Sequence, residues 1–269
     1  MTAIDNRSFI EKSLHTLGSP VSEFIEVLFQ CQKLYLQCIR RFFKWPWRWH
    51  EIHIQISSIA IGSLPIICIA TAFAGLVITK EVATQMNQAL HTVQMIPGFT
   101  GQFIIRELGI AIPALLVVSK VGASITAEIG TMKITEQIDA LKLLKVDTVS
   151  YLVFPRWIAC ILACICLTLF SIGISLAFAI LLATFNYHFS PLEYLNALRH
   201  YVGPMDIICA LIKSIVFGSI IPIISCTYGL RCQGGAQGVG SATTNAVVTA
   251  TISVIIWDFI ITSIFSSIL

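Results

Sequence analysis

The sequence predicts an all-α integral membrane protein: about five transmembrane helices, an N-terminal amphipathic interfacial helix before them, and a short cytoplasmic helix between two of them. Three observations carry this prediction. Of the 269 residues, 56% are hydrophobic and only 12% are charged, where a soluble domain has about 25% charged residues. A soluble protein this apolar would expose large sticky patches. The apolar residues also come in runs. Five are long enough for a span of about 20 residues: Ile52 to Ile78, Phe103 to Ile129, Leu152 to Phe185, Ile207 to Tyr228, and Ala246 to Leu269. Backbone in a bilayer must satisfy its own hydrogen bonds, so such runs are helices or a closed barrel. These runs lack the alternation of barrel strands. Finally, the basic residues are unevenly placed. Lys33, Arg40, Arg41, Lys44 and Arg48 precede the first span; Lys133, Lys142, Lys145 and Arg156 follow the second; Arg231 follows the fourth. The other two connections hold only Lys80 and Arg199. Cytoplasmic loops carry the excess of Lys and Arg, which puts the N-terminus inside and the C-terminus on the far side.

Along the chain, Met1 to Gly18 is polar and lacks the apolar core of a cleavable signal peptide. From Val21 to His50, Phe24, Ile25, Leu28, Leu34, Leu36 and Ile39 alternate with Glu23, Glu26, Gln32 and Lys33. The stretch ends in Arg40-Arg-Phe-Phe-Lys-Trp-Pro-Trp-Arg-Trp-His50. A basic amphipathic helix with aromatics lies in the membrane surface, and packing on a protein neighbour is compatible with that. Basic residues interleaved with aromatics also bind nucleic acid, but directly beside a span the membrane surface is the better reading. Two units are expected: residues 1–50 with the surface helix, and residues 51–269 as one membrane domain.

Gly62 and Pro65 predict a kink in the first span. Thr79 to Pro97 is expected to be an exposed far-side connection, and Thr184 to Pro204 a second, with a short helix after Ser190-Pro191. Gly122, Thr126 and Gly130, four apart, form a small-residue stripe for close helix contact. Between the second and third spans lies Glu136-Gln-Ile-Asp-Ala-Leu-Lys142, continuing to Lys145. Acidic Glu136 and Asp139 at its start and basic Lys142 and Lys145 at its end suit the helix dipole. Ile138, Leu141 and Leu144 recur along one face. A helix of this kind at the membrane surface is a docking element. The cysteines sit mostly inside apolar runs without a Cys-x-x-Cys pair, and are read as small packing residues. The glycine-rich Gly234 to Gly240 segment lacks the Lys-Ser/Thr end of a phosphate loop and is read as a tight turn.

Several charges fall within the apolar runs: Arg106, Glu107, Lys120 and Glu128 in the second, Asp206 and Lys213 in the fourth, Asp258 in the fifth. Each costs about 2.5–3.5 kcal/mol near the bilayer centre on insertion scales, and such residues face a bundle interior, a cavity or a partner. Arg106 and Glu107 point about 100° apart on a helix, so each needs its own partner. Lys213, seven residues after Asp206, shares its face. A headgroup with both a phosphate and an amine would be met by this mixed pattern; structural pairing between helices would look the same.

The residues Arg106-Glu-Leu-Gly109, Lys120 through Leu141, Tyr151-Leu-Val-Phe-Pro-Arg156, Tyr228-Gly-Leu-Arg231, Gly234 to Gly240, Ala242-Thr-Thr244 and Trp257-Asp-Phe259 resemble the MlaE (YrbE) family. That resemblance implies the permease subunit of an ATP-binding-cassette lipid transporter in a bacterial inner membrane: a homodimer of five-span subunits with no cofactor of its own. ATP and magnesium would belong to cytoplasmic ATPase partners (MlaF-like) gripping Glu136, Gln137, Ile138, Asp139, Leu141 and Lys142. A periplasmic MCE-domain lipid-binding protein (MlaD-like) and a STAS-domain protein (MlaB-like) would be further partners. The substrate would be phospholipid, passed between the inner membrane and the MCE partner to maintain outer-membrane asymmetry. The lipid path would involve Arg106, Glu107, Lys120, Asp206 and Lys213. The sequence departs from the family pattern at Ile110, where proline is usual, with Pro113 following; at Lys120, where arginine is common; and at Ser241 and Asn245, where basic residues are frequent. The residues alone also fit a proton- or ion-coupled secondary transporter using Glu107 and Asp258, or a non-transporting scaffold using only the surface helix.

Overall fold

The computed structural model describes residues 25–43, 49–90 and 94–268. The start of the expected surface helix at Val21 and the stretch from Lys44 to Arg48 lie outside them. Helix α1 covers residues 25–42. Then come α2 (Trp49–Leu90), α3 (Ile96–Phe103), α4 (Gly109–Val117), α5 (Ala123–Ile134), α6 (Gln137–Leu143), α7 (Phe154–Tyr187), α8 (Pro191–Tyr201), α9 (Pro204–Leu230) and α10 (Gly235–Ile268). Five stretches are long and apolar enough to cross a membrane: 49–88, 96–134, 149–187, 204–230 and 235–267. The second is α3, α4 and α5 run together; α6 hangs from its end, and the face of the bundle carrying it is the α6 face below.

The most buried span is α9, packed against α5, α7 and α10. Glycines permit these approaches. A β-carbon on Gly218 would lie 2.8 Å from Ile161 Cα, one on Gly229 2.8 Å from Ile129 Cβ, and one on Gly75 2.3 Å from Ser175 O. Ser175 Oγ donates to Thr71 O at 2.9 Å across that α2–α7 contact. The small-residue stripe of the second span meets α9 as expected: Thr126 Oγ1 donates to Ser225 O at 3.2 Å, and Gly122 faces Ser225. The outer surface of the spans is apolar, with Ile61, Phe73, Phe170, Leu181 and Phe259 exposed, as suits a protein solvated by lipid tails.

Helix α1 lies against the bundle through Val27, Cys31 and Cys38. Cys31 Sγ approaches Thr227 Oγ1 at 3.3 Å, and Tyr35 packs edge-on to Trp157. Its other side exposes Phe29, Leu36 and Phe43, seven residues apart, the side an interfacial helix turns to the bilayer. All nine cysteines are free, and burial pushes the Cys38 thiol up to about 12, so it packs as a neutral group.

Two expectations need correction. The first helix does not stop near Thr79 but continues to Leu90. Thr79 is buried, with its hydroxyl on Gly75 O, and Val82 and Ala83 are buried too. Falling hydropathy marked the end of the apolar run, while the Lys80–Gln88 stretch kept helix-forming residues. The glycine-rich segment is a turn only at Gly234 and Gly235, which have positive φ. From Gly235 it is the start of α10, in which a β-carbon on Gly238 would collide with Gln233 O. The second span contains two π-helical turns, 104–108 and 118–122, flanking α4 with Pro113 inside it. The expected short helix after Ser190 is present as α8, with its Ser190–Glu193 capping box.

Candidate functional site

The first π turn carries Arg106 and Glu107. Single π turns are rare and concentrate at functional sites. Here the Gly109 N–H reaches back to Ile104 O, a five-residue step that re-phases the side chains beyond it. Gly109 is required, since a β-carbon would lie 2.6 Å from Ile172 Cγ1.

Arg106 and Glu107 have separate partners. Arg106 Nε meets Asp206 Oδ1 at 2.6 Å; the other Asp206 oxygen accepts the Gly203 N–H at 2.9 Å, in the first turn of α9. Glu107 Oε2 lies 3.1 Å from Lys213 Nζ, and Glu107 Oε1 accepts from Thr262 Oγ1 at 2.9 Å. Lys213 Nζ also donates to Arg106 O at 2.9 Å. It stands 2.9 Å from Asp258 Oδ1, close enough for an ion pair though off the line of a hydrogen bond. The side chains divide by exposure. Lys213 and Asp206 are 0% and 2% exposed, whereas Arg106 and Glu107 are 37% and 33% exposed. Two buried charges from α9 thus hold two accessible charges of opposite sign on the second span. With all groups ionised, two cations face three carboxylates, one negative charge in excess. Such a surface can receive an anion at Arg106 and a cation at Glu107 and Asp258 together.

Lys120 is not part of this cluster. It lies in the second π turn, fourteen residues on, and its ammonium contacts Gly62 O of α2, one turn before Pro65. Asp258 was legible as an intramembrane charge but not as a member of the site. Thr262, one helical turn further on α10, was missed; its i+4 spacing from Asp258 is the signal that would have found it.

On the α6 face, Glu136 stands before the helix rather than in it, with φ +60°, and Lys145 follows it with φ +58°. Asp139 is clamped by Lys133 at 2.9 Å and Lys142 at 2.8 Å, and hydrogen bonds from the two ammonium groups hold its carboxyl down at about 2. The expected single apolar face divides: Ile138 is buried and Leu141 half-buried against the bundle, whereas Leu143 and Leu144 are exposed. The reason is spacing: six residues at 100° each put Leu144 about 120° from Ile138, and α6 ends at Leu143. The α6 segment is therefore anchored by Ile138 and the Asp139 clamp and presents a leucine pair outward. Nearby, Arg156 Nη2 binds Glu128 Oε1 at 2.6 Å and Nη1 binds Leu152 O at 2.8 Å, tying the end of the second span to the start of α7.

The model of the family described as Permease MlaE matches residues 52–264. The chain belongs to the MlaE permease family. It is 40% identical over 211 residues to a "Probable ABC transporter permease protein" of Rickettsia felis, covering 78% of this chain and 81% of that protein. A Synechocystis protein of the same description is 38% identical over 205 residues, 76% of this chain and 78% of that protein. The chloroplastic protein TRIGALACTOSYLDIACYLGLYCEROL 1 of Arabidopsis thaliana is 34% identical over 229 residues, 85% of this chain and 65% of that protein. This MlaE-family chain is thus an ABC transporter permease, the membrane-embedded, non-catalytic component that works with a partner ATPase.

Proposed function

We propose that this permease moves phospholipid, as a homodimer in a bacterial inner membrane, between that membrane and a periplasmic MCE-domain protein, so maintaining the lipid asymmetry of the outer membrane. The N-terminus and α6 face the cytoplasm and the C-terminus the periplasm. The observation that carries the reading is continuity. The Arg106–Glu107 turn and the α6 docking tip are opposite ends of one helical path, α3 to α5, so motion imposed on α6 reaches the charged cluster. Two ATPase subunits, holding the ATP and magnesium, grip α6 through Leu143 and Leu144; a STAS-domain protein is a further partner that the family resemblance allows. Phosphate on Arg106 and an amine on Glu107 and Asp258 would orient a zwitterionic headgroup. ATP-driven closure would narrow the outward pocket between the two copies and displace the lipid. One relative's name carries a diacylglycerol glycolipid, which supports a lipid substrate class.

The test is purification of the tagged chain in mild detergent, with mass spectrometry of the proteins and lipids that accompany it. Recovery of an ATPase, an MCE-domain protein and phospholipid is expected. Recovery of a stable chain alone, with pH-dependent flux and no nucleotide requirement, would replace this reading with a proton-coupled carrier using Glu107 and Asp258.

A further inference from the structure

A cleft runs between α1, α9 and α10, on the α6 side of the Arg106 cluster. Its inner part, about 380 Å³, is walled by apolar side chains, among them Leu28, Ile220, Ile224 and Trp257. Its outer part, about 520 Å³, is walled by polar groups, among them Glu26, Gln30, Arg231 and Asn245. Between the two parts stands the hydrogen bond of 2.9 Å from Tyr228 OH, which lines the polar part, to Thr249 Oγ1, which lines the apolar part. The walls extend from Val216 on α9 to Arg231 just past its end, fifteen residues, or about 22 Å at the α-helical rise. One leaflet with its headgroups, half of a bilayer 40–45 Å thick, is about 21 Å. Length and polarity gradient are those of a single lipid.

Arg231 supplies an independent observation. Its Nη1 is buried and has no hydrogen-bond partner among the described residues, and its Nη2 lies 3.5 Å from Glu26 Oε2. Arg231 nevertheless keeps 26% of its side-chain surface exposed and lines the polar part, and a guanidinium forks readily onto phosphate. Glu26 beside it is exposed and can accept from an ammonium. A protein helix in the same cleft would fill the apolar part and leave the exposed side of the guanidinium with no partner but Glu26.

We propose that this cleft holds a resident phospholipid of the leaflet on the α6 side: phosphate on Arg231, headgroup amine at Glu26, and one acyl chain running between α9 and α10 towards Trp257. This lipid would join α1 to the bundle, apart from the Arg106 cluster. The inference needs only that the chain spans a membrane, and it stands independently of what is transported.

The test uses the full chain, with whatever partners accompany it, in vesicles of phosphatidylethanolamine and phosphatidylglycerol. The vesicles contain phosphatidylethanolamine with a diazirine midway along one acyl chain. Illumination should label residues of α9 and α10 that line the cleft. Arg231→Gln should lower that labelling at least fivefold and Arg231→Lys less than twofold. Glu26→Gln should lower labelling by the ethanolamine probe relative to a matching glycerol probe. Ser253 of α10 lines the apolar part; Ser253→Phe, which fills it, should abolish labelling in protein that still elutes as a single species, and serves if Arg231→Gln does not fold. Labelling confined to other surfaces, labelling indifferent to both Arg231→Gln and Ser253→Phe, or cross-links in the cleft to a second copy of the chain would overturn the proposal.

Discussion

Replacing Lys213 with methionine is the most informative single change in the charged cluster. Methionine keeps the length and apolar stem but removes the ammonium that touches Glu107, Asp258 and the Arg106 carbonyl. Breaking a buried ion pair by removing one partner costs about 3–5 kcal/mol. Both carboxylates retain some water, being 33% and 21% exposed, so the lower end of that range, about 3 kcal/mol, is expected. At 2–4 °C per kcal/mol, the melting midpoint should fall by about 6–12 °C, read by size-exclusion chromatography of heated, detergent-solubilised protein. The triple variant Lys213→Met, Glu107→Gln, Asp258→Asn removes the unpaired charges as well. It should recover to within about 1 kcal/mol of the parent, because neutral replacement of buried ionic groups is often harmless. Both variants should lose lipid transport. A Lys213→Met protein as stable as the parent would refute the view that this ammonium holds the cluster together.

Other consequences follow from the packing and from α6. Gly75→Ala places a methyl 2.3 Å from the Ser175 carbonyl and should cost about 1–3 kcal/mol by overpacking. Gly173→Ala, which meets open space, should be neutral or stabilising by up to about 1 kcal/mol from helix propensity. The same melting assay compares them. Leu143→Asp should abolish recovery of the partner ATPase in pull-downs while leaving the melting midpoint unchanged, since that side chain touches solvent. The Asp139 carboxyl has its ordinary value of 3.8 lowered to about 2 in the folded chain. Its contribution is therefore complete above pH 3.8 and is lost as pH falls through 2. Hydrogen exchange of the α6 amides should accelerate across that window relative to Asp139→Asn at the same pH, and a constant ratio would rule the clamp out.

The five spans were readable because bilayer-length apolar runs admit few other structures, and the α8 helix because Ser190-Pro191 and Glu193 spell out a start signal. The separate partners of Arg106 and Glu107 followed from helical geometry. What could not be read depended on neighbours or on local re-phasing. The π turns at 104–108 and 118–122 leave no periodic signature in so short a stretch. They change which residues share a face, whereas Lys120, grouped with Arg106 by charge and by the family resemblance, stands apart because fourteen residues put it about 21 Å further along the span. Helix α2 outran its apolar run because the Lys80–Gln88 stretch keeps helix-forming residues and buries Val82 and Ala83. Leu143, invisible to a reading that sought one apolar face on α6, became prominent only once Ile138 was seen to be occupied by the bundle.

The central claim is that nucleotide turnover at the α6 face moves phospholipid past the Arg106–Glu107 turn. Its most direct measurement is transfer of a fluorescent phospholipid in vesicles reconstituted with this chain, its ATPase and its lipid-accepting partner, with and without ATP. The account predicts ATP-dependent transfer that is lost in Glu107→Gln, and lost in Leu143→Asp together with the ATPase. Transfer that proceeds equally without ATP, or that survives Glu107→Gln at the parent rate, would contradict it.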